Sequence, residues 1–219
     1  THQTREGRGV YSFCMCPGGY VVNASSEEGM LAVNGMSYQD RGSRNANSAL
    51  IVTVNPSDFA AYHMEGTPEI FDGISFQRHL ERLAYSAENG RIPVQLFKDF
   101  RAGKESAALG DIAPCCKGEY ALSNVRALLP DFIGASLEEA ICAFDRKIEG
   151  FARPDCLLSA VESRTSSPIR IRRDESFQSS LRGLYPCGEG AGYAGGITSA
   201  AIDGLKVAEA LCSCYARPI

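Results

Sequence analysis

The chain has 219 residues, 44% of them hydrophobic and 22% charged, proportions of a globular protein that exclude a disordered or low-complexity chain. That length admits one large domain or two small ones, and 22 glycines with 10 prolines stay well below the roughly 25–30% at which composition alone argues for disorder. A formal charge of −4 excludes a sequence-independent nucleic-acid binder, which needs basic surface to displace counterions from phosphates.

No uncharged stretch approaches the roughly 18–20 apolar residues that a membrane-spanning helix needs. Residues 1–8 are polar and lack the apolar core of a signal peptide, so a cytoplasmic protein without a membrane partner is expected. Thr1 and not Met opens the sequence, which therefore reads as processed or as a piece of something longer. The nine cysteines fall as Cys14-x-Cys16, adjacent Cys115-Cys116, single Cys142, Cys156 and Cys187, and Cys212-x-Cys214. No C-x-x-C is present, and His2, His63 and His79 lie far in sequence from any cysteine pair, so no metal site is expected. Reduced, mostly buried thiols are the reading of that pattern.

In chain order, residues 10–16, 20–24, 30–33 and 49–54 are β-like runs. Pro17-Gly18-Gly19 and Asn34-Gly35 punctuate them as turns. Asp72 is placed to cap a helix in which Phe76, Leu80, Leu83 and Ala87 recur at helical spacing, and Asn89-Gly90 supplies its stop. Residues 93–97 read as extended and 101–117 as a connection. Ser136-Leu137-Glu138-Glu139 forms a capping box for a second helix, with Leu137, Ile141, Phe144 and Ile148 as its apolar stripe and Gly150 as its end. Strands are expected at 156–162 and at 169–172, joined by a tight polar turn at 163–168. Arg170, Arg172 and Arg173 are the solvent face of the second strand on this reading.

The segment 183–198 holds six glycines, Gly183, Gly188, Gly190, Gly192, Gly195 and Gly196. A helix over 197–211 follows, with Ala200, Ala201, Gly204 and Ala208 suited to close packing. Strand, glycine loop, helix is the expected order. Gly190-x-Gly192-x-x-Gly195 has the spacing of a dinucleotide fingerprint, but that fingerprint opens a βαβ unit with an acidic residue about 20 positions on, and the sequence stops before such a strand. What the pattern supports is a helix N-terminus whose free N–H groups and dipole suit an anionic or electron-rich ligand group, with Glu189 able to accept hydrogen bonds from ligand hydroxyls. A glycine-rich turn that only packs helix on sheet is the alternative.

The stretch Leu184-Tyr185-Pro186-Cys187-Gly188-Glu189-Gly190-Ala191-Gly192-Tyr193-Ala194-Gly195-Gly196-Ile197-Thr198 resembles the C-terminal flavin motif of uncharacterised bacterial FAD-dependent dehydrogenases, a family of NAD(P)/FAD-dependent oxidoreductases. Phe13-Cys14-Met15-Cys16-Pro17-Gly18-Gly19, Val33-Asn34-Gly35-Met36-Ser37 and Glu162-Ser163-Arg164-Thr165-Ser166-Ser167-Pro168 are similar to it as well. The resemblance implies an α+β fold: a mixed, β-rich substrate-side domain, plus the closing strand and helix of an FAD/NAD(P)-binding three-layer domain. The sequence itself divides near Asp111 and Pro154, giving a β-rich substrate-side region 1–110 with one helix, a helical connection 111–154, and, with the resemblance, a C-terminal FAD-domain part 155–219. The resemblance implies FAD in the full-length parent, a small-molecule substrate, and a nucleotide-binding part N-terminal to this piece, the piece alone being inactive and open to homo-oligomerisation.

By the same resemblance Gly188, Glu189, Gly190, Gly195, Gly196, Ile197 and Thr198 contact the cofactor, Glu189 at the ribitol or pyrophosphate region and Gly196-Ile197-Thr198 at the flavin ring. Cys14 and Cys16, on one face of a strand, face either a flavin or the core, and core packing is the simpler assignment. Arg164 either binds a substrate carboxylate with its guanidinium fork or is a solvated turn residue. No Ser–His–Asp or Cys–His set can be assembled. A flavoenzyme needs none, because the cofactor carries the electrons. The rival reading, from another class, is a non-catalytic binding or assembly module whose glycine loop contacts a partner protein; it requires a self-contained chain without a bare apolar face.

Overall fold

The computed structural model describes residues 1–215. In chain order it contains strands β1 (His2–Gln3), β2 (Gly9–Cys16), β3 (Gly19–Asn23), β4 (Val33–Ser37) and β5 (Asn47–Val52), then helices α1 (Pro56–Phe59) and α2 (Asp72–Glu88). Next come β6 (Ile92–Leu96), α3 (Phe97–Ala102), β7 (Cys116–Lys117), β8 (Tyr120–Leu122), α4 (Asp131–Asp145) and β9 (Leu157–Ser159), and α5 (Ile197–Cys214) ends the series. This is the α+β mixture expected. The chain divides into two compact units: residues Thr1–Asp58 with Phe76–Ser163, and residues Phe59–Ser75 with those from Arg164 on.

Three small sheets make the first unit, ordered β1-β2-β5, β4-β3-β7 and β8-β6-β9. β2 and β5 pair antiparallel, Val10 opposite Val52, and α4 covers this pair: Val10, Ala140 and Phe144 form a core with Leu50, Val52, Leu137 and Phe151 packed on it. β6 is buried at all five positions, pairs parallel with β8 and antiparallel with β9, and shares a second core of Val33, Ile92 and Val94. A strand covered on both faces reads as a continuous apolar run, but Gln95 interrupts it at 0% exposure. Its amide is satisfied: Nε2 donates to the Lys104 carbonyl at 2.7 Å and to Asn124 Oδ1 at 3.1 Å, and Oε1 accepts the Arg126 N–H at 2.9 Å. The Ser106 hydroxyl accepts the Leu96 N–H at 2.9 Å and donates to Asp99 at 2.8 Å. These bonds fix the connection after α3, a helix that falls across the end of the expected extended run 93–97 and the start of the expected connection 101–117.

α2 forms with the expected stop, but its buried apolar face is Phe76, Leu80 and Ala84, while Leu83 and Ala87 of the expected stripe are exposed. Asn89 and Gly90 take φ of 52° and 84°, and the Gly90 N–H bonds the Tyr85 carbonyl at 2.9 Å, the glycine-type C-terminal cap. Asp72 is the first helical residue, not a cap, and its carboxylate accepts from His63 Nδ1 at 2.8 Å.

Several expectations are corrected. Asn34-Gly35 is not a turn but the middle of β4, opposite Val22 and Val21; a Cβ on Gly35 would lie 2.5 Å from the Asn47 amide oxygen, so the glycine admits a close approach and not a bend. α4 begins at Asp131, so Ser136 is inside it, its hydroxyl bonded to the Phe132 carbonyl at 2.7 Å, the i−4 bond of a mid-helix serine and no capping box. Ile148 lies beyond the helix, 43% exposed. None of the nine free cysteines is buried, and Cys14, Cys187, Cys212 and Cys214 are exposed, against the expectation of mostly buried thiols. Cys14 sits at an irregularity in β2 with φ of 50°, which turns its side chain out of a core position.

In the second unit the predicted strand at 169–172 and the closing strand ahead of α5 are both absent: among the described residues no strand lies between β9 and α5. A strand needs a neighbour for its N–H and C=O groups, and here these segments meet through a single backbone bond, Ile171 N–H to the Ala191 carbonyl at 3.1 Å. Turns and side-chain bonds hold them instead. α5 starts at Ile197 as expected and runs to Cys214, past the expected end at 211, and only Val207 on it is buried.

Candidate functional site at the glycine loop

The loop ahead of α5 is built around one ion pair. Arg173 donates to Asp203 through both terminal nitrogens, at 2.8 and 2.6 Å, a bidentate fork, with side-chain exposures of 10% and 14%. The same Arg173 donates to the Pro186 carbonyl at 2.8 Å, and Asp203 accepts the Gly188 N–H at 2.9 Å. Helix α5 is thereby tied to both ends of the loop's first turn. The Arg173 fork and the Gly188 N–H pull the Asp203 carboxyl down to about 2, since hydrogen bonds to a carboxylate favour its charged form.

Aromatic contacts complete the clamp. The Arg173 guanidinium lies 3.6 Å from the Tyr193 ring centroid and 4.7 Å from that of Phe177, and the Arg170 guanidinium is 5.1 Å from the same Tyr193 centroid. Arg170 Nε donates to the Gly192 carbonyl at 2.8 Å and the Tyr193 hydroxyl to the Ile171 carbonyl at 3.0 Å. Gly192 is required: its φ is 81°, and a Cβ there would sit 2.5 Å from the Ile169 carbonyl oxygen. Arg173, read from sequence as the solvent face of a strand, is a partly buried clamp; no role was read for Asp203, one of three charged residues on α5 with Lys206 and Glu209.

Around that clamp the expected site residues sort into two groups. Gly188 is buried, with φ of 70°, and its N–H is taken by Asp203, so it shapes the loop. Glu189 and Gly190 are exposed, the Glu189 carbonyl accepting the Gly192 N–H at 2.8 Å while nothing lies within 4 Å of a Cβ at Gly190. Gly195, Gly196, Ile197 and Thr198 are also exposed. The Ser199 hydroxyl accepts the Gly196 N–H at 3.2 Å, and the first intrahelical bond runs from Ala200 N–H to the Gly196 carbonyl. The N–H groups of the first turn therefore have no intrahelical partner and sit at the positive end of an 18-residue helix.

The residues fit a cofactor in a restricted sense. Open backbone at 189–190 and at 195–198 lets a large group come close, the helix N-terminus suits an electron-rich or anionic part, and the Glu189 carboxylate suits hydroxyls and not phosphates. Arg164, Thr165 and Ser166 lie in an irregular stretch, and a Cβ at Gly195 would come within 3.6 Å of Ser166 Oγ, so this polar turn is beside the loop. Among the described residues no group of three or more His, Cys, Asp and Glu is placed to hold a metal, and no helix is long and apolar enough to cross a membrane.

Comparison with known proteins places the chain in a family. The family described as "FAD-dependent protein, C-terminal domain-like" matches residues 1–165, which leaves the glycine loop and α5 beyond the matched part. A protein of Clostridium beijerinckii (strain ATCC 51743 / NCIMB 8052), described as "Uncharacterized protein", is 51% identical over 205 residues. The match takes in 92% of this chain and 37% of that relative, so the chain spans little over a third of the relative's length. With 165 of its 219 residues matched, the chain belongs to the FAD-dependent protein, C-terminal domain-like family.

Proposed function

We propose that the chain is the C-terminal portion of an FAD-dependent oxidoreductase, a dehydrogenase acting on a small molecule, and that its glycine loop and the start of α5 form one wall of the flavin site. Residues 155–219 belong to the FAD-binding side, 1–110 to the substrate side, and 111–154 join them. The nucleotide-binding part comes from the rest of the parent chain, and the piece alone is inactive. Membership of an FAD-dependent family supports the cofactor. The observation that carries the site is a loop held by the Arg173–Asp203 clamp while Gly195 to Thr198, at the start of the helix, stay open.

Glu189 is assigned to hydroxyls of the cofactor's ribitol region, and the N–H groups of Ile197 and Thr198 to its electron-rich ring edge. FAD, when bound, supplies the electron transfer. Arg164 is assigned to a substrate carboxylate. Free thiols throughout fit a reducing, cytoplasmic location. The rival reading as a self-contained binding module, which requires no bare apolar face, is disfavoured by Ile197 at 90% and Leu205 at 66% exposure, since bare apolar surface on a helix marks a contact site.

The visible absorption spectrum of the full-length protein tests the assignment. A flavin band after gentle purification, or after addition of FAD and removal of the excess, is the expected result. A colourless protein under both conditions contradicts it.

A further inference from the structure

Cys14 and Cys16 stand at a defect in β2. Phe13 pairs with Ala49 and Cys16 with Asn47, so three steps of β2 run alongside two steps of β5, the two-against-one count of a bulge. Two strand steps cover about 6.6 Å, and residues 13 to 16 are drawn into that length. Cys14 takes φ of 50° to achieve it. Even in a regular strand i, i+2 Cα atoms lie about 6.6 Å apart, inside the roughly 4.4–6.8 Å Cα separation of a disulfide, and the bulge at Cys14 bends the strand between the two cysteines. The Cys16 thiol already turns back along the chain, its Sγ 3.3 Å from the Cys14 carbonyl oxygen. Cys14 is exposed and Cys16 half-buried, so a reagent reaches the first while the second waits behind it.

The other close cysteine pairs lack this arrangement. Cys212 and Cys214 lie on α5, where i and i+2 side chains point about 200° apart around the axis. Cys115 and Cys116 are adjacent, and Cys116 is engaged in the β3–β7 ladder opposite Val21, its thiol pushed up to about 11 by burial and by Cys115.

We propose that Cys14 and Cys16 form a dithiol–disulfide couple that exchanges with low-molecular-weight disulfides. The Cys14 thiolate attacks one sulfur of a disulfide R–S–S–R, forming a Cys14–S–S–R bond and expelling RS⁻. The Cys16 thiolate then attacks the Cys14 sulfur, closing the Cys14–Cys16 bond and expelling the second RS⁻. The two thiol protons end on two RSH, and the two electrons lost by the pair are gained by the reagent. Partial burial, then Glu162 and Cys16, hold the Cys14 thiol above its ordinary range, so less of it is thiolate at neutral pH and the exchange quickens as pH rises.

The test uses the full-length protein, oxidised glutathione, and alkylation of remaining thiols followed by tryptic mass mapping. Cleavage after Arg8 and Arg41 yields peptide 9–41, whose cysteines are Cys14 and Cys16 and no others. The expected peptide is lighter by the two thiol hydrogens and carries no alkyl group, a mass that dithiothreitol reverses. In Cys16→Ser the first step proceeds and the second cannot, so Cys14 is expected to retain one glutathione. Two alkyl groups, two separate glutathiones, a bond to a third cysteine, or an unmodified Cys14 in Cys16→Ser would each overturn the proposal.

Discussion

At the scale of single residues, the second unit depends on Asp203. Its carboxylate accepts two bonds from Arg173 and one from Gly188, and bonds to a charged group contribute about 1.5–3 kcal/mol each. Asp203→Asn keeps the shape and removes the charge, so it should loosen the loop by about 2 kcal/mol. Limited trypsin digestion reads this directly: cleavage after Arg170, Arg172 and Arg173 should accelerate in the variant, and an unchanged rate would deny the clamp its role. The pH dependence follows from the same pair. A free aspartate titrates near about 3.9 and Asp203 is held at about 2, so the clamp's contribution is complete above about pH 4 and is lost as pH falls toward 2.

At the scale of elements, the first unit rests on α4 lying over β2 and β5. Phe144 is 4% exposed, touches Val10 and Ala140 in one core, and meets Phe151 edge-on with centroids 5.7 Å apart. Phe144→Ala should cost about 3–5 kcal/mol, seen as a lowered midpoint in urea with the slope retained; a loss under 1 kcal/mol on the order of a surface change would mean that this core is not where stability resides. α2, β6 and α5 could be read from the sequence because periodicity and stop signals are local. α3, the Gln95 bonds and β7 could not, because they answer to partners far along the chain: Gln95 to Lys104, Asn124 and Arg126. The Asn34-Gly35 pair misled for the same reason, its glycine answering to Asn47 on β5 of another sheet. The expected closing strand is replaced by turns, since Arg173 and Asp203 hold the segment through side chains where no ladder partner is at hand. Of the candidate site, the open helix start was legible from the glycines, whereas the clamp that fixes it was not.

At the scale of the whole molecule, two observations bear on one account. The family match covers residues 1–165, and beyond it lies a helix with Val207 buried and Ile197, Ile202 and Leu205 exposed. Apolar residues left bare on a helix that ends a clamped glycine loop are what a shared flavin wall would leave on this side. The relative, with 63% of its length beyond the match by difference from the 37% covered, is long enough to carry the other side. The most direct measurement is FAD retention by the full-length protein with Glu189→Ala, compared with the unaltered protein and with Glu65→Ala, another exposed glutamate, as control. The account predicts an FAD dissociation constant raised on the order of tenfold for Glu189→Ala, the loss of one charge-assisted hydrogen bond, and no change for Glu65→Ala. Equal retention by all three would contradict it.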